Sequence, residues 1–345
     1  MPSTPDSRAH ESSRLPSEFR RDLISGEWIT IAMGRTRRPT DFSSPQERKP
    51  SPIETCPFED VVVSGHEPPL LVLKNGQGRL VQVVKNKYPI VKHEHCPGEM
   101  KRGPFSVLEG TGFHEVVILG DHQRQIADLT LDEIALLLGA YQERYRALSR
   151  EPCIRYILIL HNFGEEAGAS LWHPHSQIVA IPVLPPDVER SLRGSQDYFR
   201  SHRECVHCLI LGWEEKEGSR IISENDSVLA ITPFISRNAF EIRIFPKRHE
   251  PRFENAEEHT LRDFAAVLLN VLRRLKLGLN DPAYNFFLHT APPLRLGEED
   301  HSYYHWHLEI LPRTDVSAGF ELGTGIEVAV VDPDEAAAFL RSIKL

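Results

Sequence analysis

The chain is short of sulfur and of long apolar runs, and each shortage excludes something. Nowhere in its 345 residues does a window approach the roughly twenty consecutive apolar residues of a membrane span. The opening stretch, MPSTPDSRAHESSRLPSEF, is polar throughout, so it reads as a disordered leader over residues 1–18 and not as a signal peptide or anchor. Basic residues are outnumbered, 40 Lys and Arg against 49 Asp and Glu, and the formal charge of −9 gives no general attraction to nucleic acid or an anionic membrane. Any phosphate must therefore be held locally. Only five cysteines are present, Cys56, Cys96, Cys153, Cys205 and Cys208, and two of them form CVHC. That set favours a reduced compartment and metal binding over disulfides. The expectation is a cytoplasmic enzyme or binding protein with no nucleic-acid and no membrane partner.

The length suffices for one large or two medium domains. FRRDLISGEWITIA reads as strand, glycine turn, strand, and RTRRPTDFSSPQERKPSP as a basic, Pro/Ser-rich loop. RLVQVVKNKYPIV and GFHEVVILG read as strands. The period then changes: in LTLDEIALLLGAYQERYRALSR, Thr130 is a plausible N-cap, and Ile134, Leu137, Leu138 and Tyr141 share one face of an amphipathic helix. The second half repeats this order. Each half runs strand, strand, helix, a strand ending near a histidine (His161, His289), a loop, and a His-x-His strand, HPHSQIVAIP against HWHLEILP. Such a repeat implies duplication of one α+β unit with mainly antiparallel sheets, residues 19–190 and 191–345, with a linker helix near 194–204.

SLWHPHSQIVAIP, residues 170–182, carries the chemistry. With period two, His173, His175 and Gln177 point to one face of a strand whose flanks are apolar, which is costly unless each is paired, coordinated or used. The glycine-rich NFGEEAGAS before it suits a loop that approaches a ligand closely. Two imidazoles at this spacing can chelate zinc, or one can attack phosphorus while the other holds a metal.

GRTRRP, LHNFGEEAGAS, HPHSQ, HWH and AGFELGTG, in this order along the chain, together resemble the galactose-1-phosphate uridylyltransferase family of the histidine triad superfamily, from about Phe19 onward. The resemblance implies two histidine-triad-like units and a ping-pong transfer in which His175 takes a nucleoside monophosphate from a nucleotide sugar and a sugar 1-phosphate collects it. It implies that Gln177 donates to a phosphoryl oxygen. Asn162 and Ser170 would hold further phosphate oxygens, Arg35 and Arg38 would contact phosphate, and Asn86 would lie near the nucleotide. Phe320 and Glu321 match the segment that reaches the sugar from the neighbouring subunit of a homodimer.

The family often carries structural zinc. Cys56, His122 and His173 match three ligands of one site, and Glu59 stands where a second cysteine would be, so that site is expected to be harder and weaker. Cys205, Cys208, His249 and His305 form the stronger candidate, resembling the branch whose linker carries a cysteine pair. The resemblance also implies an alternative second metal held by a carboxylate with His289, His305 and His307, which would compete for His305. His207 and His202 are expected to be exposed, and the HEHC run, residues 93–96, to be solvated. Uridylyl transfer from UDP-glucose to galactose 1-phosphate is the leading expectation. An ADP-glucose phosphorylase acting by the same mechanism is the alternative, since that branch handles adenylyl groups. A histidine triad hydrolase or a zinc-stabilised scaffold would belong to other classes.

Overall fold

The computed structural model describes residues 17–32, 42, 48, 50–76, 78, 80–92, 95–295, 297, 299–314, 316 and 318–345. Arg35, Arg38 and most of the polar leader lie outside the described residues.

The first half supplies strands β1 (Glu18–Arg21), β2 (Trp28–Ile31), β3 (Leu71–Lys74), β4 (Leu80–Lys85), β5 (Glu99–Arg102), β6 (Phe105–Leu108) and β7 (Phe113–Leu119). Helix α1 (Leu131–Leu148) and strands β8 (Tyr156–Phe163) and β9 (His175–Ile181) follow. Helices α2 (Pro186–His202) and α3 (Val206–Glu217) lead to β10 (Ile221–Glu224), β11 (Val228–Ile231), β12 (Ile242–Pro246), α4 (Glu258–Gly278), β13 (Tyr284–His289) and β14 (His307–Pro312). Helix α5 (Gly319–Thr324), strand β15 (Val328–Ala329) and helix α6 (Pro333–Ser342) close the chain.

Ten strands form one sheet in the order β10-β11-β12-β14-β13-β8-β9-β7-β4-β3. Read outward from the β13–β8 junction, the two arms match strand for strand: β14 corresponds to β9, β12 to β7, β11 to β4 and β10 to β3. The two α+β units are thus joined edge to edge, with every pairing in this sheet antiparallel. At the junction Asn285 lies opposite Asn162.

Helices α1 and α4, equivalent in the two arms, pack on one face of the sheet. Helix α1 starts as its sequence dictates: Thr130 accepts from the Glu133 backbone amide while the Glu133 carboxylate reaches back to the Thr130 amide, a closed capping box. Ile134, Leu137, Leu138 and Tyr141 are all buried in a core that runs through both halves. Truncating one of these leucines to alanine would cost about 2–5 kcal/mol. The opposite face carries smaller apolar clusters, Phe58 with Val84, Val116 and Ile118 in the first arm and Leu211 with Leu229, Ile231 and Phe245 in the second, and between them the polar residues of the site.

The helix expected between the halves is longer than its sequence signal. Helix α2 begins at Pro186, and Arg203 stops it in the left-handed region at φ 58°. Gly194 is required there because any Cβ would run into the backbone carbonyl of Ile24. A second helix, α3, then carries the CVHC segment. Two further expectations are corrected. Cys96 and Cys153 pair as a disulfide instead of remaining free. His207 is 2% exposed rather than solvated, with its Nε2 3.3 Å from Ser195 Oγ, because helix α3 turns it inward beneath the His305 and His307 rings.

Candidate active site and metal centres

Cross-strand register gathers the site on the sheet face opposite α1 and α4. His175 of β9 lies opposite Ile118 of β7, and Gln177 opposite Val116. Residues directly opposite one another share a face, so His114, two positions before Val116, joins them. Asn86, just past β4, donates its backbone amide to the His114 carbonyl at 2.8 Å. Asn162 of β8 comes in from the other side.

His175 is 8% exposed, and its Nδ1 is 2.9 Å from the His173 carbonyl. A carbonyl only accepts, so Nδ1 carries the proton and the Nε2 lone pair is left for a substrate. Burial pushes the His175 pKa below the ordinary histidine value, which keeps that lone pair available at neutral pH. His161 donates Nδ1–H to the His175 carbonyl at 2.8 Å and stacks on Phe286 at 4.9 Å. Burial holds the His161 pKa at about 3, so it braces the strand as a neutral ring.

His114 joins the site although no sequence motif marks it. Its Nδ1 accepts the Ile90 backbone N–H at 3.2 Å, so the proton of the neutral ring is on Nε2 and points at Gln177 Oε1, 2.8 Å away. That bond fixes the flip of the amide, with the Gln177 oxygen on His114 and its NH2 turned outward as a donor. The Asn86 amide nitrogen sits across both ring nitrogens, at 3.4 and 3.0 Å, which suits an N–H directed at the ring, while Asn86 Oδ1 accepts the Tyr88 amide at 2.8 Å. A histidine inside the otherwise largely apolar GFHEVVILG strand was the available signal.

A cleft of about 690 Å³ is lined by Asn162, Gly164, Ser170, Trp172, His173 and His175, among others. Gly164, at φ +86°, turns the chain from β8 into the loop that carries Ser170. A second cavity of about 520 Å³ reaches Asn86 and His114 and is edged by Lys85, Lys87 and Lys92. Phe320 and Glu321 line neither. They lie on α5, where Glu321 caps its own helix through the Ala318 amide at 2.9 Å and Phe320 is 48% exposed.

Two clusters fit zinc. In the first, the ligand atoms of Cys205, Cys208, His249 and His305 all lie within 4.8 Å of one another. His305 Nε2 and His249 Nε2 bond the Pro246 and Ser302 carbonyls at 2.9 and 2.8 Å, which leaves both Nδ1 atoms unprotonated toward the sulfurs. Two thiolates and two carbonyl-oriented imidazoles are a tetrahedral zinc set. In the second cluster, Cys56, Glu59, His122 and His173 converge within the same span. His122 and His173 again give Nε2 to backbone carbonyls, of Ser51 at 2.8 Å and Leu119 at 2.5 Å, and meet Glu59 Oε1 through Nδ1 at 3.0 and 3.1 Å. One thiolate, one carboxylate and two imidazoles make this a harder site, as its sequence implied. The expected competition for His305 does not arise. His305 turns its Nδ1 to the cysteines, and His289 and His307 group with Glu309 instead. Of the HEHC run, His93 lies outside the described residues, and His95 pairs with Glu109 at 2.6 Å on the surface.

A family model described as galactose-1-phosphate uridyl transferase, N-terminal domain, matches residues 12–185, and its C-terminal counterpart matches residues 191–322. An ADP-glucose phosphorylase of Arabidopsis thaliana is 34% identical over 342 residues, covering 95% of this chain and 93% of the relative. A galactose-1-phosphate uridylyltransferase of Thermotoga maritima is 31% identical over 338 residues, covering 95% and 99%. The solved structure of an Arabidopsis thaliana ADP-glucose phosphorylase with bound ADP-glucose superposes with a TM-score of 0.78 at 29% identity, over 95% of this chain and 100% of that one. No helix among the described residues is long and apolar enough to cross a membrane.

Proposed function

Since the chain belongs to the galactose-1-phosphate uridyl transferase family, whose members are nucleotidyltransferases, we propose that it moves a nucleoside monophosphate from a nucleoside diphosphate hexose to a phosphate acceptor through a covalent intermediate on His175. The observation that carries this reading is the tautomer of His175: Nδ1–H is committed to the His173 carbonyl, and Nε2 is free at the cleft. Nε2 attacks the α-phosphorus, and a P–N bond forms. The bond from that phosphorus to the bridging oxygen breaks, and hexose 1-phosphate leaves with the electron pair. The imidazole keeps its Nδ1 proton and becomes cationic, stabilised by the carbonyl it already touches. An acceptor phosphate oxygen then attacks the same phosphorus, the P–N bond breaks, and neutral His175 is restored. Gln177, oriented by His114, supplies an N–H to the phosphoryl oxygens as charge grows on them, and Asn162 and Ser170 supply further donors. Asn86, and Arg35 and Arg38 outside the described residues, complete the proposed nucleotide contacts. In a homodimer the exposed Phe320 and the half-buried Glu321 would reach the partner's sugar site. Zinc on Cys205, Cys208, His249 and His305, and more weakly on Cys56, Glu59, His122 and His173, would tie distant segments together.

The proposed donor is UDP-glucose and the acceptor galactose 1-phosphate. A second reading, adenylyl transfer from ADP-glucose, is favoured by the assembled Cys205/Cys208 cluster and by the ADP-glucose bound in the similar Arabidopsis structure. Intact-protein mass spectrometry after brief incubation with either donor and no acceptor tests both. A uridylyl adduct on the parent but not on His175→Ala supports the first, an adenylyl adduct the second, and no adduct from either refutes the covalent mechanism.

A further inference from the structure

The second half carries no nucleophile in this reading, yet one of its side chains reaches into the first half's site. Asn285 on β13 is 4% exposed, and all three of its hydrogen-bonding partners are in place. Its Oδ1 accepts from Arg313 Nε at 2.7 Å. Its Nδ2 gives one proton to Asn162 Oδ1 at 2.7 Å and the other to the Ala167 carbonyl at 2.8 Å. The assignment of these atoms is forced. A guanidinium has only donors, so the Asn285 oxygen must face Arg313, and its NH2 must face Asn162 and Ala167. The Asn162 oxygen is thereby claimed by the second half, and its own NH2 is left for the cleft. Ala167 belongs to the turn between Gly164 and Gly168, so the same NH2 also anchors the loop leading to Ser170.

We infer that Asn285, held by Arg313, is a positioning residue of the second half that fixes the Asn162 amide with its NH2 toward the substrate phosphate and steadies the Ser170 loop. The inference rests on the proposed function, and it gives the second arm of the sheet a part in the chemistry of the first. Antiparallel β8–β13 pairing makes the relay possible, because Asn162 and Asn285 are direct cross-strand partners.

Asn285→Asp tests it with little change of volume. The carboxylate still accepts from Arg313 but cannot donate, and Asn162 is then driven to turn its NH2 to the new carboxylate and its oxygen to the cleft. Single-turnover loading of His175 should slow about 10- to 100-fold, on the scale of losing one oriented donor. Asn285→Asp combined with Asn162→Ala should lose far less than the product of the two single losses, because Asn285 acts chiefly through Asn162, and only the small share that runs through the Ala167 anchor remains to be lost. A role in folding alone would instead multiply the two losses. Asn285→Gln, which keeps both donor and acceptor, reports whether folding or donation is at stake. Equilibrium binding of the nucleoside monophosphate, UMP or AMP, reads the same relay without catalysis and should weaken about tenfold in Asn285→Asp. A parent protein that never loads sinks the proposed function. Unchanged loading and unchanged monophosphate binding in Asn285→Asp, or multiplicative losses in the double variant, overturn the relay.

Discussion

In both halves of the sheet a histidine donates Nδ1–H to the carbonyl two residues upstream: His175 to His173 at 2.9 Å and His307 to His305 at 3.1 Å. The upstream histidine in each case turns Nδ1 toward a cysteine-containing cluster, 3.5 Å from Cys56 Sγ and from Cys208 Sγ. The divergence begins two residues further on. In the first arm Gln177 is met by the Nε2–H of His114 and offers an NH2. In the second, Glu309 pairs with Arg243 at 3.0 Å and stands 3.6 Å from His307 Nε2. A carboxylate cannot donate, and its charge would repel a phosphate arriving at that imidazole. The two arms thus share the strand geometry and the poised tautomer, and differ in what the residue two positions on presents: an amide oriented by His114 in the first and a carboxylate held by Arg243 in the second.

The widest gap between the arms should appear on deleting the two histidines. His175→Ala should abolish nucleotidyl loading, whereas His307→Ala should leave the loading rate within about twofold, since the second ring touches no donor set. Making the first arm like the second comes next. Gln177→Glu should slow loading about 100- to 1,000-fold in rapid-quench assays, and Glu309→Gln should leave it unchanged. If Glu309→Gln loads a second equivalent instead, the +2 residue alone separates the copies.

Metal affinity sharpens the contrast in the opposite sense. Two thiolates against one should make the Cys205 cluster keep its zinc longer under a chelator than the Cys56 cluster, as read by elemental analysis of Cys205→Ser and Cys56→Ser. Loss from the Cys205 cluster first would contradict that order. The smallest effect concerns pH. His161 and His307, one in each arm, are depressed by burial to about 3 and about 4. Above the unfolded value of about 6.5 both are neutral in either state, and their full contribution is present. Below it the unfolded chain binds protons that the folded chain refuses, so stability falls as pH drops from 6.5 toward 3–4. Each group should contribute about 2 kcal/mol of that loss between pH 6.5 and 5. Denaturant titrations at the two pH values should show His161→Asn losing less than the parent, and parallel losses would refute this attribution.

The His-x-His pairs, the N-cap of α1 and the Cys205/Cys208 pair were legible because each is a local pattern: an alternation, a cap ahead of an amphipathic run, a Cys-x-x-Cys; the distant partners of both metal clusters were reached only through the family resemblance. His114, Asn285 and Arg313 were not. Each acts across strands, through a register fixed by long-range pairing and not by neighbours in sequence. The Cys96–Cys153 disulfide and the burial of His207 escaped for the same reason, since the first depends on two loops meeting and the second on which way an unanticipated helix turns. Composition could say that the cysteines were few, but not which of them lie together.

Of the two geometrically similar histidines, only His175 is proposed to carry the nucleotide. Peptide mapping at neutral pH, after loading the protein with its nucleotide sugar in the absence of acceptor, tests this most directly. All of the added nucleoside monophosphate should reside on the peptide containing His175. Label on the peptide containing His307, or no label on either, would contradict it.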